Sequence, residues 1–197
     1  AAELVLAHGI TSLTEPGLGP GEDHGPTGSF GTSTVAEYRA LAAAGELPVR
    51  VTVLSLFGLV DGPSTWEDFE RGLAGLDHST PDAAFLDFVG VKIFADGIPP
   101  MHNSYTERSY TSGARPSLMV GGHDEAQREE NLRKMVIAAH RAGLQVAVHA
   151  TGDRSIGLFL DVVAEARAER DDDLRHYVIH GDLVTPEQLH RMAALGV

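Results

Sequence analysis

Short apolar runs alternate with segments of helical period along the whole of these 197 residues. That alternation restricts the chain to an α/β fold built on a parallel sheet covered by helices. Residues 10–14, 49–57, 88–95, 144–150 and 177–184 read as five strands. Residues 1–8 read as the tail of a helix stopped at Gly9. Thr34-x-x-Glu37 is a capping-box pattern opening a helix to Ala44, with Gly45 as its stop. Trp66, Phe69, Leu73 and Leu76 share one helical face. Leu132, Met135, Val136 and Ala139 mark another such face, and so do Ile156, Phe159, Leu160 and Val163. Thr185-Pro186-Glu187-Gln188 is a second capping box with proline at the first helical position. No linker interrupts the pattern, so residues 1–197 are expected to form one domain. Five strands fit either an open doubly wound sheet or an interrupted (β/α)8 barrel, and periodicity does not choose between them.

Charge and residue usage limit the function classes. Lys+Arg 15 against Asp+Glu 28 gives a net charge of −13, which argues against a nucleic-acid partner. There is no cysteine, so disulfides and thiolate metal sites are excluded, and a metal would need His, Asp, Glu or a modified lysine. No apolar run approaches the roughly 20 residues of a membrane-spanning helix. No leader peptide is visible, and a cytoplasmic location is expected. The chain begins at Ala1 rather than Met, so the natural N-terminus is expected to lie elsewhere.

Three strings carry the chemistry: Val91-Lys92-Ile93-Phe94-Ala95-Asp96-Gly97, Val148-His149-Ala150-Thr151-Gly152-Asp153 and Val178-Ile179-His180-Gly181. Each offers one Lys or His near the end of an apolar run, and strand ends are where parallel α/β folds hold ligands. Lys92 fits an ion-paired or strand-edge lysine. It also fits a lysine whose neutral amine is carboxylated by CO2 to give an anionic oxygen ligand. His149 and His180 close runs 31 residues apart, one strand–helix–strand unit. Their imidazoles are therefore positioned to converge from neighbouring strand ends.

Asp96 is either a turn residue or a polar group at the mouth of the site. Asp153 reads as the N-cap of a helix over 154–170, with a supporting role beside His149 as the alternative. His176 reads as structural. His8, His78, His123, His140 and His190 fall on helices or polar turns and are expected to face solvent. Residues 96–124 exceed an ordinary βα connection and carry His102 and Tyr105, both candidates to meet a substrate. That segment reads as a lid, an insertion or a subunit contact.

Together the strings resemble the amidohydrolase superfamily, specifically the amidohydrolase-3 group that includes formamide deformylase-like enzymes. Gly9-Ile10-Thr11-Ser12 is similar to the family's second-strand G-[IV]-T-S, and residues 91–97 to its V-K-x-F-A-D-G. Residues 148–153 are similar to V-H-A-x-G-D, and residues 177–197 to a metal-histidine strand followed by a P-E-x-x-x-x-x-A-x-L-G-V helix. The resemblance covers essentially the whole chain. It implies a TIM-barrel type fold, incomplete here, with strands two to six of the (β/α)8 barrel present, and a small β-sandwich built from both ends of the full chain. It implies one or two divalent ions, zinc foremost, held by carboxylated Lys92, His149 and His180. The implied activity is hydrolysis of C–N bonds in amide, N-formyl or cyclic amide substrates by metal-activated water.

The family's first-strand H-x-H pair does not occur in this sequence, and the general-base Asp of the eighth strand is expected outside it. Ile179 stands where many members have Glu, and Gly181-Asp182 where Ala-Gln is common. The 197 residues alone are thus expected to be catalytically incomplete, with strand edges open to a second copy or to another chain. A non-catalytic regulatory or scaffold protein derived from the same barrel is the alternative.

Overall fold

The computed structural model describes residues 2–25 and 29–197. In chain order its elements are α1 (Ala2–Ala7), β1 (Ser12–Leu18), α2 (Thr32–Ala44), β2 (Arg50–Leu56), α3 (Trp66–Ala74), β3 (Leu86–Phe94), α4 (Glu125–Arg141), β4 (Gln145–Ala150), α5 (Asp153–Glu169), β5 (Tyr177–His180) and α6 (Pro186–Leu195). The five strands form one parallel sheet in the order β1-β2-β3-β4-β5. This order decides what periodicity left open. A doubly wound sheet reverses direction at a switch point, whereas here every strand pairs with its successor. Successive right-handed crossovers then put all helices on one side, and the sheet curls into a half-barrel.

The two faces of the sheet are chemically different. Val91, Ile93, Val146, Val148 and Ala150 face outward and pack in one apolar cluster with Leu132, Met135 and Val136 of α4 and Ile156, Phe159 and Leu160 of α5. A second cluster joins Val51, Val53, Leu86 and Phe88 to Leu41 and Val35 of α2. Alternation therefore turns Lys92, Phe94 and His149 to the concave face, and the register confirms it, with Lys92 beside Ala147 and Phe94 beside His149.

Element boundaries differ from the sequence expectations where a local signal misleads. β1 continues through Pro16 to Leu18 instead of stopping at Thr14. It is an edge strand paired only with β2, so a missing N–H is tolerated. α2 starts at Thr32, with Gly31 at its N-cap. Thr34 lies inside its first turn and donates its hydroxyl to the Ser29 carbonyl. The expected capping box is thus replaced by Asp23, whose Oδ1 accepts from the Thr32 amide at 2.6 Å. At α6 the capping box forms as read, Thr185 and Gln188 each accepting the other's backbone N–H.

Asp153 is not a cap. Gly152 occupies the N-cap of α5 and Asp153 the first helical position, so the carboxylate faces the preceding loop and accepts from the Glu107 amide at 3.0 Å. His140, expected at the surface, is fully buried. It sits in the last turn of α4 and pairs with His176 across the amino end of β4. Among the described residues, no helix is long and apolar enough to cross a membrane.

Candidate metal centre

Lys92 lies on β3, the central strand, with only 4% of its surface exposed. It is therefore no strand-edge lysine. Among the described residues no carboxylate lies within ion-pair distance of it, so the ion-paired reading has no partner either. Its Nζ sits 4.5 Å from the centroid of the Phe94 ring. Gly17 on β1 packs beside the stem, where a Cβ would lie in ordinary contact, 3.5 Å from Lys92 Cγ. Burial pulls the ammonium down to about 8, while the negative charge of Asp61 opposes the shift. At neutral pH a useful fraction of the amine is therefore neutral, the form that combines with CO2.

His149, the penultimate residue of β4, is the register partner of Phe94, and the two rings are 5.3 Å apart. Its Nε2 lies 3.0 Å from the Gly97 carbonyl. A carbonyl only accepts, so Nε2 carries the proton and Nδ1 is the nitrogen available to a ligand. Burial holds this imidazole below its ordinary range; Lys92 and His180 push the same way, and Gly97 and Asp96 oppose. The ring is therefore neutral at neutral pH, as a metal ligand must be.

His180 closes β5 opposite Ala150, a residue that faces the helices. Regular alternation would send its ring outward. Its φ of 80° breaks the alternation, and the ring lies 4.7 Å from that of His149, edge to face. A non-glycine residue held at positive φ is strained, and such strain concentrates at functional sites. His149 and His180 thus meet, and Phe94 links them to Lys92.

Asp96 follows β3 and is fully buried. Its carboxylate accepts from the amides of Tyr105, Thr151 and Gly152, each at 2.9 Å, and from Ser155 Oγ at 2.6 Å. Gly152, at the N-cap of α5, has no side chain to cap the helix. Asp96 instead bonds the Gly152 amide and the Ser155 hydroxyl at the start of α5, where the helix dipole favours an anion. His149 Nε2 is 4.0 Å from its Oδ1.

The other two candidates lie apart from the histidine pair. Tyr105 is 1% exposed and turns away from the concave face. Its hydroxyl donates to Glu129 of α4 at 2.7 Å, and its ring lies under Arg154. A substrate cannot reach it, because residues 96–124 do not form a free lid: Tyr105, Leu118 and Val120 sink into the core, and the Met119 amide bonds the Ala95 carbonyl at 2.7 Å. His102 stays on the exposed part of that segment, stacked 4.8 Å from Tyr110 with Nδ1 3.1 Å from Ser112 Oγ.

Sequence reasoning missed Thr151, Ser104 and the Gly97 carbonyl, which surround Asp96 and His149. Thr151 Oγ1 donates to Gly97 at 2.6 Å, and Ser104 Oγ lies 2.6 Å from the same hydroxyl. Only the position of Thr151 two residues after His149 hinted at this.

The donor set suits a borderline divalent cation: two imidazoles in contact, one with Nδ1 free, beside a buried lysine that has no carboxylate within ion-pair distance among the described residues. It is a partial set. Among the described residues no group of three or more His, Cys, Asp or Glu is placed to hold a metal ion.

Known proteins resemble this chain in sequence and in fold. The chain is 29% identical over 163 residues to a putative amidohydrolase, YtcJ, of Bacillus subtilis (strain 168), covering 81% of this chain and 27% of that protein. It is 29% identical over 109 residues to the protein LONG AFTER FAR-RED 3 of Arabidopsis thaliana, covering 55% of this chain and 18% of that one. The chain thus spans about a quarter or less of these relatives. Two solved structures superpose on all of it: uncharacterized metal-dependent hydrolases from Pyrococcus furiosus (TM-score 0.68) and Pyrococcus horikoshii OT3 (TM-score 0.69). Each is 22% identical, and the match covers 35% and 34% of their lengths. The sequence model of the amidohydrolase family matches residues 1–197, and the chain belongs to that family.

Proposed function

We propose that these residues supply part of the metal centre of a cytoplasmic hydrolase acting on C–N bonds of amide, N-formyl or cyclic amide substrates. The observation that carries this reading is the contact of His149 with His180 beside Lys92, a buried lysine with no carboxylate in ion-pair distance among the described residues. His149 through Nδ1, His180, and Lys92 as its carbamate would hold one or two divalent ions, zinc foremost. A bound ion of this kind supplies Lewis acidity, polarising a carbonyl and lowering the pKa of water. Forming the carbamate joins the neutral Lys92 amine to the carbon of CO2 and releases one proton to solvent. Phe94 and the buried strand ends exclude water from the Lys92 amine. The general-base aspartate is expected outside residues 1–197.

Two measurements test this on the full-length protein. Purified protein is expected to contain a divalent metal and to lose amide hydrolysis on chelation. His149→Ala and His180→Ala are each expected to lose the metal and to lower kcat/KM by at least about 100-fold. Absence of metal and of hydrolysis in the wild type would favour the non-catalytic reading.

The carbamate is tested separately with 13C-bicarbonate. A carbamate carbon resonance is expected that grows as pH rises through about 8, where the Lys92 amine becomes neutral. Lys92→Arg should abolish it. A resonance that persists in that variant would place the modification elsewhere.

A further inference from the structure

Resting on the reading of His149 as a ligand, we propose that Asp96 is a positioning residue: it fixes the Gly97 carbonyl that holds the His149 ring with Nδ1 free.

The hydroxyl donors in this cluster can be assigned by counting protons. Thr151 Oγ1 has one proton and two acceptors in reach, the Gly97 carbonyl at 2.6 Å and Asp96 Oδ1 at 3.3 Å. The shorter contact takes it, and Ser104 Oγ then donates to Thr151. Ser155 Oγ is 2.6 Å from Asp96 Oδ2 and 2.9 Å from the Gly152 carbonyl, and the charged acceptor takes its proton. Asp96 is left with four donors: three backbone N–H groups and the Ser155 hydroxyl. Backbone amides cannot reverse their role, so only a group that accepts at both oxygens fits.

This clamp ties residues 96–97 to residues 151–152. The Gly97 carbonyl then receives two donors, Thr151 Oγ1 and His149 Nε2. Nothing else among the described contacts holds the His149 ring by hydrogen bonding. The carboxylate also acts directly, since its charge 4.0 Å from Nε2 favours the proton on that nitrogen. The same oxygens that clamp residues 151–152 therefore choose which imidazole nitrogen faces a ligand.

The test uses full-length protein labelled with 15N-histidine and stripped of metal, together with cobalt(II) titration. Wild type is expected to show His149 in the Nε2–H tautomer. Asp96→Asn places an NH2 group against backbone donors in either orientation. It is expected to mix the tautomers, weaken cobalt binding by ten- to a hundredfold, and alter the d–d spectrum of the bound ion. Should that variant fail to fold, Thr151→Val removes one donor to Gly97 while keeping the side-chain shape. It is expected to move the same three readouts in the same direction. A purely structural Asp96 predicts a lower Tm with unchanged tautomer and cobalt spectrum in the folded protein, and that result overturns the proposal. So does an Nδ1–H tautomer in wild type. If wild type binds no cobalt, the ligand reading fails, while the tautomers of wild type and variants still decide the role of Asp96.

Discussion

Replacing Gly152 by alanine is expected to cost about 3 to 5 kcal/mol of stability, measured by urea unfolding of the full-length protein. The reason is approach, not backbone freedom. Gly152 has φ −82°, which any residue adopts. A Cβ at this position would meet the Tyr105 backbone, 2.5 Å from its carbonyl carbon and 2.9 Å from its nitrogen. Backbone cannot swing aside as a long side chain can. Overpacking of this kind costs about 1 to 3 kcal/mol. The displacement also strips Asp96 of donors, and each charged hydrogen bond lost adds roughly 1.5 to 3 kcal/mol before relaxation. Gly143 provides the contrast. It follows α4 at φ 77° with nothing near its Cβ direction. Gly143→Ala should cost only about 1 to 2 kcal/mol, the left-handed penalty. Equal effects at the two sites would refute the close-approach account.

That clamp shows what a sequence displays and what it hides. The strand–helix alternation displayed the parallel sheet because each element's pattern is local. Lys92, His149 and His180 were legible because a charged or polar residue ending an apolar run is conspicuous by itself. The meeting of the two histidines was only half visible: their spacing gave neighbouring strands, but the positive φ that swings His180 onto His149 has no signature in Ile179-His180-Gly181 beyond the glycine. Asp96 was ambiguous because its partners lie 9 to 59 residues away. Tyr105 was read as a candidate to meet a substrate because its long segment lacks periodicity. Its burial comes from Asp96 seizing its amide and Glu129 its hydroxyl. His140 was misread for a related reason. A histidine beside arginine in a last helical turn looks solvent-facing, and partners 30 and 36 residues away keep it inside.

That histidine pair is expected to make stability fall with acid well before the carboxylates titrate. The Val146 amide donates to His176 Nδ1 at 2.9 Å. The proton of neutral His176 is therefore on Nε2, which donates to His140 Nδ1 at 2.9 Å, and His140 Nε2 donates to the Arg170 carbonyl at 2.7 Å. Every nitrogen is satisfied, and a further proton on either ring would face a donor. Burial, with His140 and Arg167 adding to it, lowers His176 from 6.5 to about 4. The unfolded chain thus binds the proton more readily, so this contribution is complete above about pH 6.5 and is lost as pH falls toward 4. A shift of this size corresponds to about 3 kcal/mol at most, at about 1.4 kcal/mol per pH unit. His176→Asn keeps an acceptor for Val146 and removes the titration. It is expected to be about 1 to 2 kcal/mol less stable at pH 7 and to show a flatter loss between pH 6.5 and 4. The site at the opposite end of the sheet should keep its metal affinity at pH 7 in this variant. If wild type and variant lose stability with the same slope across that window, the acid sensitivity belongs to groups other than the buried imidazoles.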